Sequence, residues 1–241
     1  MDLAELLALP GVEEVCELRS AVGFMALHGG SQDRGTHEIA SRAAEQSGAS
    51  YYAIVQPADL RVHLTSRRHD PRQSQQMSAF LQHVEVAISV HGFGRDSFNF
   101  YVGPGCAPVI EPYGPALRGR QTGPLRGIIV GGLNAALVDV ATELLGERFA
   151  DYHAGSERVR LGFHPCNPVN LPPAHGVQIE LPPALRGIGD LGEHLVPSQA
   201  GIVTEVVAAL VELAERAAQL CAGASASYNP ATPAPSSFGR T

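Results

Sequence analysis

The chain has 241 residues, 44% of them apolar and 17% charged, and a formal net charge of −7. That balance suits one large globular domain and excludes a disordered chain, and the negative charge gives no reason to expect a nucleic-acid partner. All 17 basic residues are arginine; without lysine there is no Schiff-base chemistry of the pyridoxal or aldolase kind and no standard phosphate-binding P-loop.

No apolar run approaches the roughly 20 residues that span a bilayer, so no membrane partner is expected. The opening Met1-Asp2-Leu3-Ala4-Glu5 lacks the basic and then apolar pattern of a secretion signal, so the expected location is cytoplasmic. Cysteines stand at 16, 106, 166 and 221 without a Cys-x-x-Cys pair, which argues against a structural zinc finger and for scattered reduced thiols.

In chain order, residues 21–27 read as a buried strand, and 36–47 as a helix with Thr36 at its N-cap and Gly48 at its end. Residues 50–56 are strand-like and stop at Pro57. A helix is expected over 73–83, strands over 84–90 and 98–102, and a long Pro- and Gly-rich loop over 104–124. Residues 126–130 form another apolar run, with a helix near 133–147. Gly176-Val177-Gln178-Ile179-Glu180-Leu181 alternates like a strand. Residues 198–221 carry apolar positions at helical spacing.

This order predicts an α/β fold: an open, mixed, largely parallel sheet with helices on both faces. Residues 1–223 are expected to form a single domain, followed by a disordered Ala/Ser/Pro-rich tail over 224–241.

Two strands run into histidine and glycine, at His28-Gly29 and His91-Gly92. In a parallel sheet such residues converge at the carboxyl ends of strands, where ligands bind. Asp33 follows His28 by five residues across a loop and can turn back beside it. Two imidazoles and a carboxylate make a three-ligand site with an open position, as catalytic zinc requires. Glu180, near the end of its own strand, can then take a proton from a metal-activated water.

Other readings compete. Glu38 is an alternative ligand, although a glutamate in a helix's first turn is favoured there by the dipole alone. His37 is expected to be solvated. Arg67 and Arg68 can grip carboxylates or form a solvated charge run. Ser66 and Cys166 are weak nucleophile candidates, and Gly131-Gly132 before a helix is a weak anion site.

Taken together, these segments resemble the phage-type poly-γ-glutamate hydrolase family. The resemblance lies in His28-Gly29-Gly30-Ser31-Gln32-Asp33, then Gly35-Thr36-His37-Glu38, His63-Leu64-Thr65-Ser66 and Ser89-Val90-His91-Gly92. It continues through Asn167-Pro168-Val169-Asn170, Gly176-Val177-Gln178-Ile179-Glu180 and Arg186. The resemblance implies a zinc-carboxypeptidase-like fold, Zn²⁺ held by His28, Asp33 and His91, Glu180 as general base, and Arg186 and Asn170 at the substrate. It also implies a γ-glutamyl amide substrate.

The family usually carries glutamate where Asp33 stands, so the shorter aspartate needs a closer loop. The alternatives are a metal-dependent carboxypeptidase or deacylase of a small acylated amino acid, and a non-catalytic binding protein on the same fold.

Overall fold

The computed structural model describes residues 1–93, 127–149, 153–155, 162–188 and 200–227. The strand expected over 98–102, the loop over 104–124 and the part of the expected 224–241 tail beyond 227 lie outside these residues; residues 224–227, expected in that tail, instead continue the last helix, which runs to Ser227.

Among the described residues seven strands form one sheet: β1 (Glu13–Glu17), β2 (Val22–Gly30), β3 (Ser50–Gln56), β4 (Val86–Gly92), β5 (Gly127–Gly131), β6 (His153–Gly155) and β7 (Gly176–Leu181). Their order is β1-β3-β2-β4-β7-β5-β6. The central pairs β3/β2, β2/β4 and β4/β7 are parallel, as is β5/β6; β1/β3 and β5/β7 are antiparallel. The expected mixed, largely parallel sheet is therefore observed.

The helices are α1 (Leu3–Leu7), α2 (Thr36–Ser47), α3 (Gln75–His83), α4 (Ala135–Arg148) and α5 (Ala200–Ser227). No helix among the described residues is long and apolar enough to cross a membrane.

Strand alternation sends side chains to two separate cores. Phe24, Ala26, Ile88, Val90, Val177 and Ile179 face α2, α4 and α5, through residues such as Ile39, Ala43, Leu137, Leu145, Val206 and Leu210. Met25, Leu27, Tyr52 and Ile54 face α1 and α3, through Leu3, Leu6, Met77 and Phe80. Burial of each large side chain contributes about 1.5–3 kcal/mol, so both faces hold the sheet.

The second face changes character along β4 and β7. There Ser89 pairs with Gln178 and His91 with Glu180. Directly paired residues of neighbouring strands share a face, so four polar side chains form a strip beside the apolar core.

Two local expectations are corrected. Gly35, not Thr36, is the N-cap of α2, because the Thr36 hydroxyl instead donates to the Asp33 carbonyl at 2.7 Å. The first apolar strand does not end before His28 but carries His28, Gly29 and Gly30 within it. Gly48 does end α2 as its C-cap.

Candidate metal centre

The β2/β3 register shifts between Ala26 and Gly29, where β2 holds one residue more than its partner. A bulge of this kind re-aims the side chains beside it, and His28 lies inside it. Gly30 then leaves the sheet with φ of 74°, and a Cβ there would collide with the Gln56 backbone. Only glycine fits both constraints.

The chain next turns back on itself. The Asp33 amide donates to the His28 carbonyl at 2.8 Å, which brings the short aspartate to the imidazole. His28 Nδ1 lies 3.3 Å from Asp33 Oδ2 and 3.2 Å from His91 Nδ1. The His91 Nδ1 to Asp33 Oδ2 distance is 3.8 Å. All three residues are buried, at 7%, 8% and 2% exposure for His28, Asp33 and His91. Among the described residues they form the one group of three or more metal-ligating side chains close enough to share an ion.

The protons explain what this arrangement suits. His28 Nε2 lies 2.8 Å from the Leu64 carbonyl. A carbonyl only accepts, so Nε2 carries a proton, and in the neutral ring Nδ1 presents a lone pair. His91 Nε2 lies 2.9 Å from the Ser89 hydroxyl, which can accept its proton and leave a second lone pair at Nδ1. With both rings neutral, two bare nitrogens and a carboxylate oxygen face one another, an arrangement that a bound cation relieves. Tetrahedral ligands at ~2.1 Å from zinc stand about 3.4 Å apart, in the range of these separations. Leu64 and Ser89 thus fix the ring orientations, as outer partners of metal-binding histidines do.

A proton on an Nδ1 is the other way to relieve the cluster, and it is the one that hydrogen-bonds to Asp33. Burial alone would raise the Asp33 carboxyl, but its hydrogen bonds to His28 and His91 outweigh this and hold it well below the usual range. Asp33 Oδ2 also accepts from the Gly92 amide at 3.2 Å. Burial would lower the His28 imidazole, and the bond and charge of Asp33 overcome this and raise it.

Glu180 is half-buried. Burial pushes its carboxyl above the ordinary value, with Asp33 adding to the shift and His91 opposing it. Its Oε1 accepts from Gln178 Nε2 at 2.9 Å, and Gln178 Oε1 accepts from Asn167 Nδ2 at 2.9 Å. Gln178 and Asn167 thereby orient the carboxyl. Neither was singled out for this, although the alternation of β7 already puts Gln178 on the face of Glu180.

The other candidates separate. Glu38 is exposed, with its Oε2 2.9 Å from His37 Nδ1, outside the group of three. His37 is part-buried rather than solvated, and its Nδ1 accepts from the Gly30 amide at 3.1 Å. Arg67 and Arg68 are exposed on a short 3₁₀ turn, Ser66–Arg68. Asn170 is buried; its Oδ1 accepts from the Leu133 amide at 3.1 Å, and its Nδ2 donates to the Gly162 and His164 carbonyls. Arg186 is buried, and its guanidinium donates to the backbone carbonyls of Leu181, Arg34 and Phe93. Cys166 is an exposed free thiol.

Two further imidazoles surround His28, with ring centroids at 5.1 Å for His63 and 5.7 Å for His69. His69 is wholly buried, and its Nε2 has no hydrogen-bond partner among the described residues. Burial, and then the neighbouring His28, lower its pKa to about 3.

A bulged histidine, a folded-back acid and a second histidine at a parallel strand end can be compared with known proteins. Residues 9–107 match the family model of poly-gamma-glutamate hydrolase. The resemblance read from the sequence is borne out on that segment, which holds His28, Asp33, His63 and His91 and stops short of Glu180 and Arg186.

A solved bacteriophage poly-gamma-glutamate hydrolase is 19% identical, covers 90% of this chain and 95% of its own, and superposes with a TM-score of 0.64. A structure described as YNDL-apo (zinc-free) is also 19% identical, with 86% and 90% covered and a TM-score of 0.61. An N-formylglutamate amidohydrolase from Ralstonia eutropha JMP134 is 12% identical, with 86% and 98% covered and a TM-score of 0.54. At these identities the structures establish a shared fold. No curated protein matches the chain in sequence.

Proposed function

We propose that this chain is a metal-dependent amidohydrolase that cleaves a γ-glutamyl amide of the poly-γ-glutamate kind, with zinc held by His28, Asp33 and His91. The observation that carries the proposal is the convergence of two imidazole nitrogens and a carboxylate oxygen beside Glu180, which is paired in register with His91. The family match over residues 9–107 supports the hydrolytic reading and the substrate class.

Zinc bound there supplies Lewis acidity and a water of lowered pKa. The remaining chemistry belongs to the chain. Glu180 takes a proton from the attacking water at Oε2, since Oε1 is engaged by Gln178. Its raised pKa suits both acceptance and return of that proton. The water oxygen bonds to the amide carbon, the carbon–nitrogen bond breaks, and Glu180 passes the proton to the leaving nitrogen. A carboxylic acid and an amine result, and the acid then loses its remaining proton to water at neutral pH. The exposed Arg67 and Arg68 bind substrate carboxylates, for which a guanidinium offers a bidentate fork.

The test is incubation of the zinc-loaded protein with poly-γ-glutamate, with chain length followed by size-exclusion chromatography. Shortening that a chelator abolishes and zinc restores is expected. An unchanged polymer overturns the substrate assignment, and release of amino acid from short N-acyl amino acids in the same screen would replace it with a deacylase.

A further inference from the structure

Arg186 lies downstream of every catalytic candidate, and the sequence offers it as a grip for a substrate carboxylate. We infer instead that Arg186 is a positioning residue: a buried guanidinium that locks together the three backbone segments carrying Asp33, His91 and Glu180. The inference rests on the proposed metal site.

The observation is the identity of its acceptors. Nη1 donates to the Arg34 carbonyl at 2.5 Å, Nη2 to the Phe93 carbonyl at 2.8 Å and Nε to the Leu181 carbonyl at 3.2 Å. Arg34 follows Asp33 directly, Phe93 stands two residues after His91, and Leu181 follows Glu180. One planar group therefore fixes the end of β4, the end of β7 and the loop after β2. The Leu181 carbonyl also accepts from the Phe93 amide at 3.3 Å, which closes the β4 and β7 ends on each other.

The packing is as specific as the hydrogen bonding. A Cβ at Gly92 would stand 2.5 Å from both Cζ and Nε of Arg186. Glycine after His91 thus makes room for the guanidinium, a reason for the histidine-glycine pair separate from any need for a turn. Arg186 is 7% exposed, and Asp33 and Glu180 are close enough to act on its charge. Lysine cannot replace it, because an ammonium lacks the rigid, planar set of donors that reaches acceptors in three directions.

The experiment compares wild type, Arg186→Lys and Arg186→Met in zinc affinity, by chelator competition, and in kcat and KM on the polymer. Circular dichroism monitors folding. Positioning predicts weaker zinc binding by about 10- to 100-fold in Arg186→Lys, the usual effect of losing an outer partner of a metal site. It also predicts a lowered kcat with KM within about twofold, because substrate contacts remain. Should Arg186→Met fail to fold, Arg186→Ala with added ethylguanidinium is expected to recover zinc binding.

Unchanged zinc affinity in Arg186→Lys with KM raised tenfold or more overturns the inference and returns Arg186 to the substrate. Wild type that binds no zinc defeats the metal-site reading itself, a different result from variants that bind as wild type does.

Discussion

Glu180→Gln separates chemistry from architecture. The amide has the volume of the carboxyl, and its oxygen can still accept from Gln178 Nε2, which now donates to Glu180 Oε1 at 2.9 Å. Burial already disfavours the charge of Glu180, so its removal leaves stability within about 1 kcal/mol, the net worth of an ordinary hydrogen bond. Zinc binding is retained, because Glu180 stands outside the group formed by His28, Asp33 and His91. Turnover falls by about two to four orders of magnitude, or roughly 2.7–5.4 kcal/mol of lost transition-state stabilisation. The assay is the initial rate of poly-γ-glutamate shortening by zinc-loaded wild type and variant, with zinc content and melting temperature measured on the same samples. A variant with full zinc and a rate within about threefold of wild type would refute the role of Glu180 as base.

Asp33→Ala is expected to lose stoichiometric zinc while Glu38→Ala keeps it, as read by metal analysis after dialysis; the reverse pattern would move the third ligand into α2. His69 supplies a pH test. Its folded pKa of about 3 lies below the unfolded value of 6.5, so its contribution to stability is present above pH 6.5 and declines as pH falls toward 3. By pH 5 that loss amounts to about 2 kcal/mol. His69→Leu should therefore lose about that much less than wild type between pH 7.5 and 5 in urea unfolding, and parallel losses would show that His69 is not buried neutral.

Strands β3 and β7 were legible at their observed limits because Pro57 and Pro182 follow them, β3 as a largely apolar run and β7 as an apolar–polar alternation. Their shared parallel core was legible from the alternation of strand and helix. β1 was not, since Glu13-Glu14-Val15-Cys16-Glu17 is an acidic, half-exposed edge strand with little apolar signal. The antiparallel setting of β5 was also hidden, because a strand's own residues do not record its direction.

At the site, the spacing from His28 to Asp33 was readable as a return loop. The bulge at His28 was not, because it arises from the register with β3. The partners that orient the two histidines and Glu180 are a carbonyl, Leu64, and two polar strand residues, Ser89 and Gln178. Neither residue type signals chemistry in isolation. Arg186 shows the same limit, since a sequence displays its charge and not the three carbonyls it meets.

The central claim is that His28, Asp33 and His91 hold one metal ion. Crystals grown with zinc and measured on both sides of the zinc absorption edge test it most directly. The account predicts a single anomalous peak per chain at roughly 2.0–2.2 Å from His28 Nδ1, His91 Nδ1 and an Asp33 carboxylate oxygen. A zinc peak elsewhere, with these three side chains hydrogen-bonded only to one another, would contradict it.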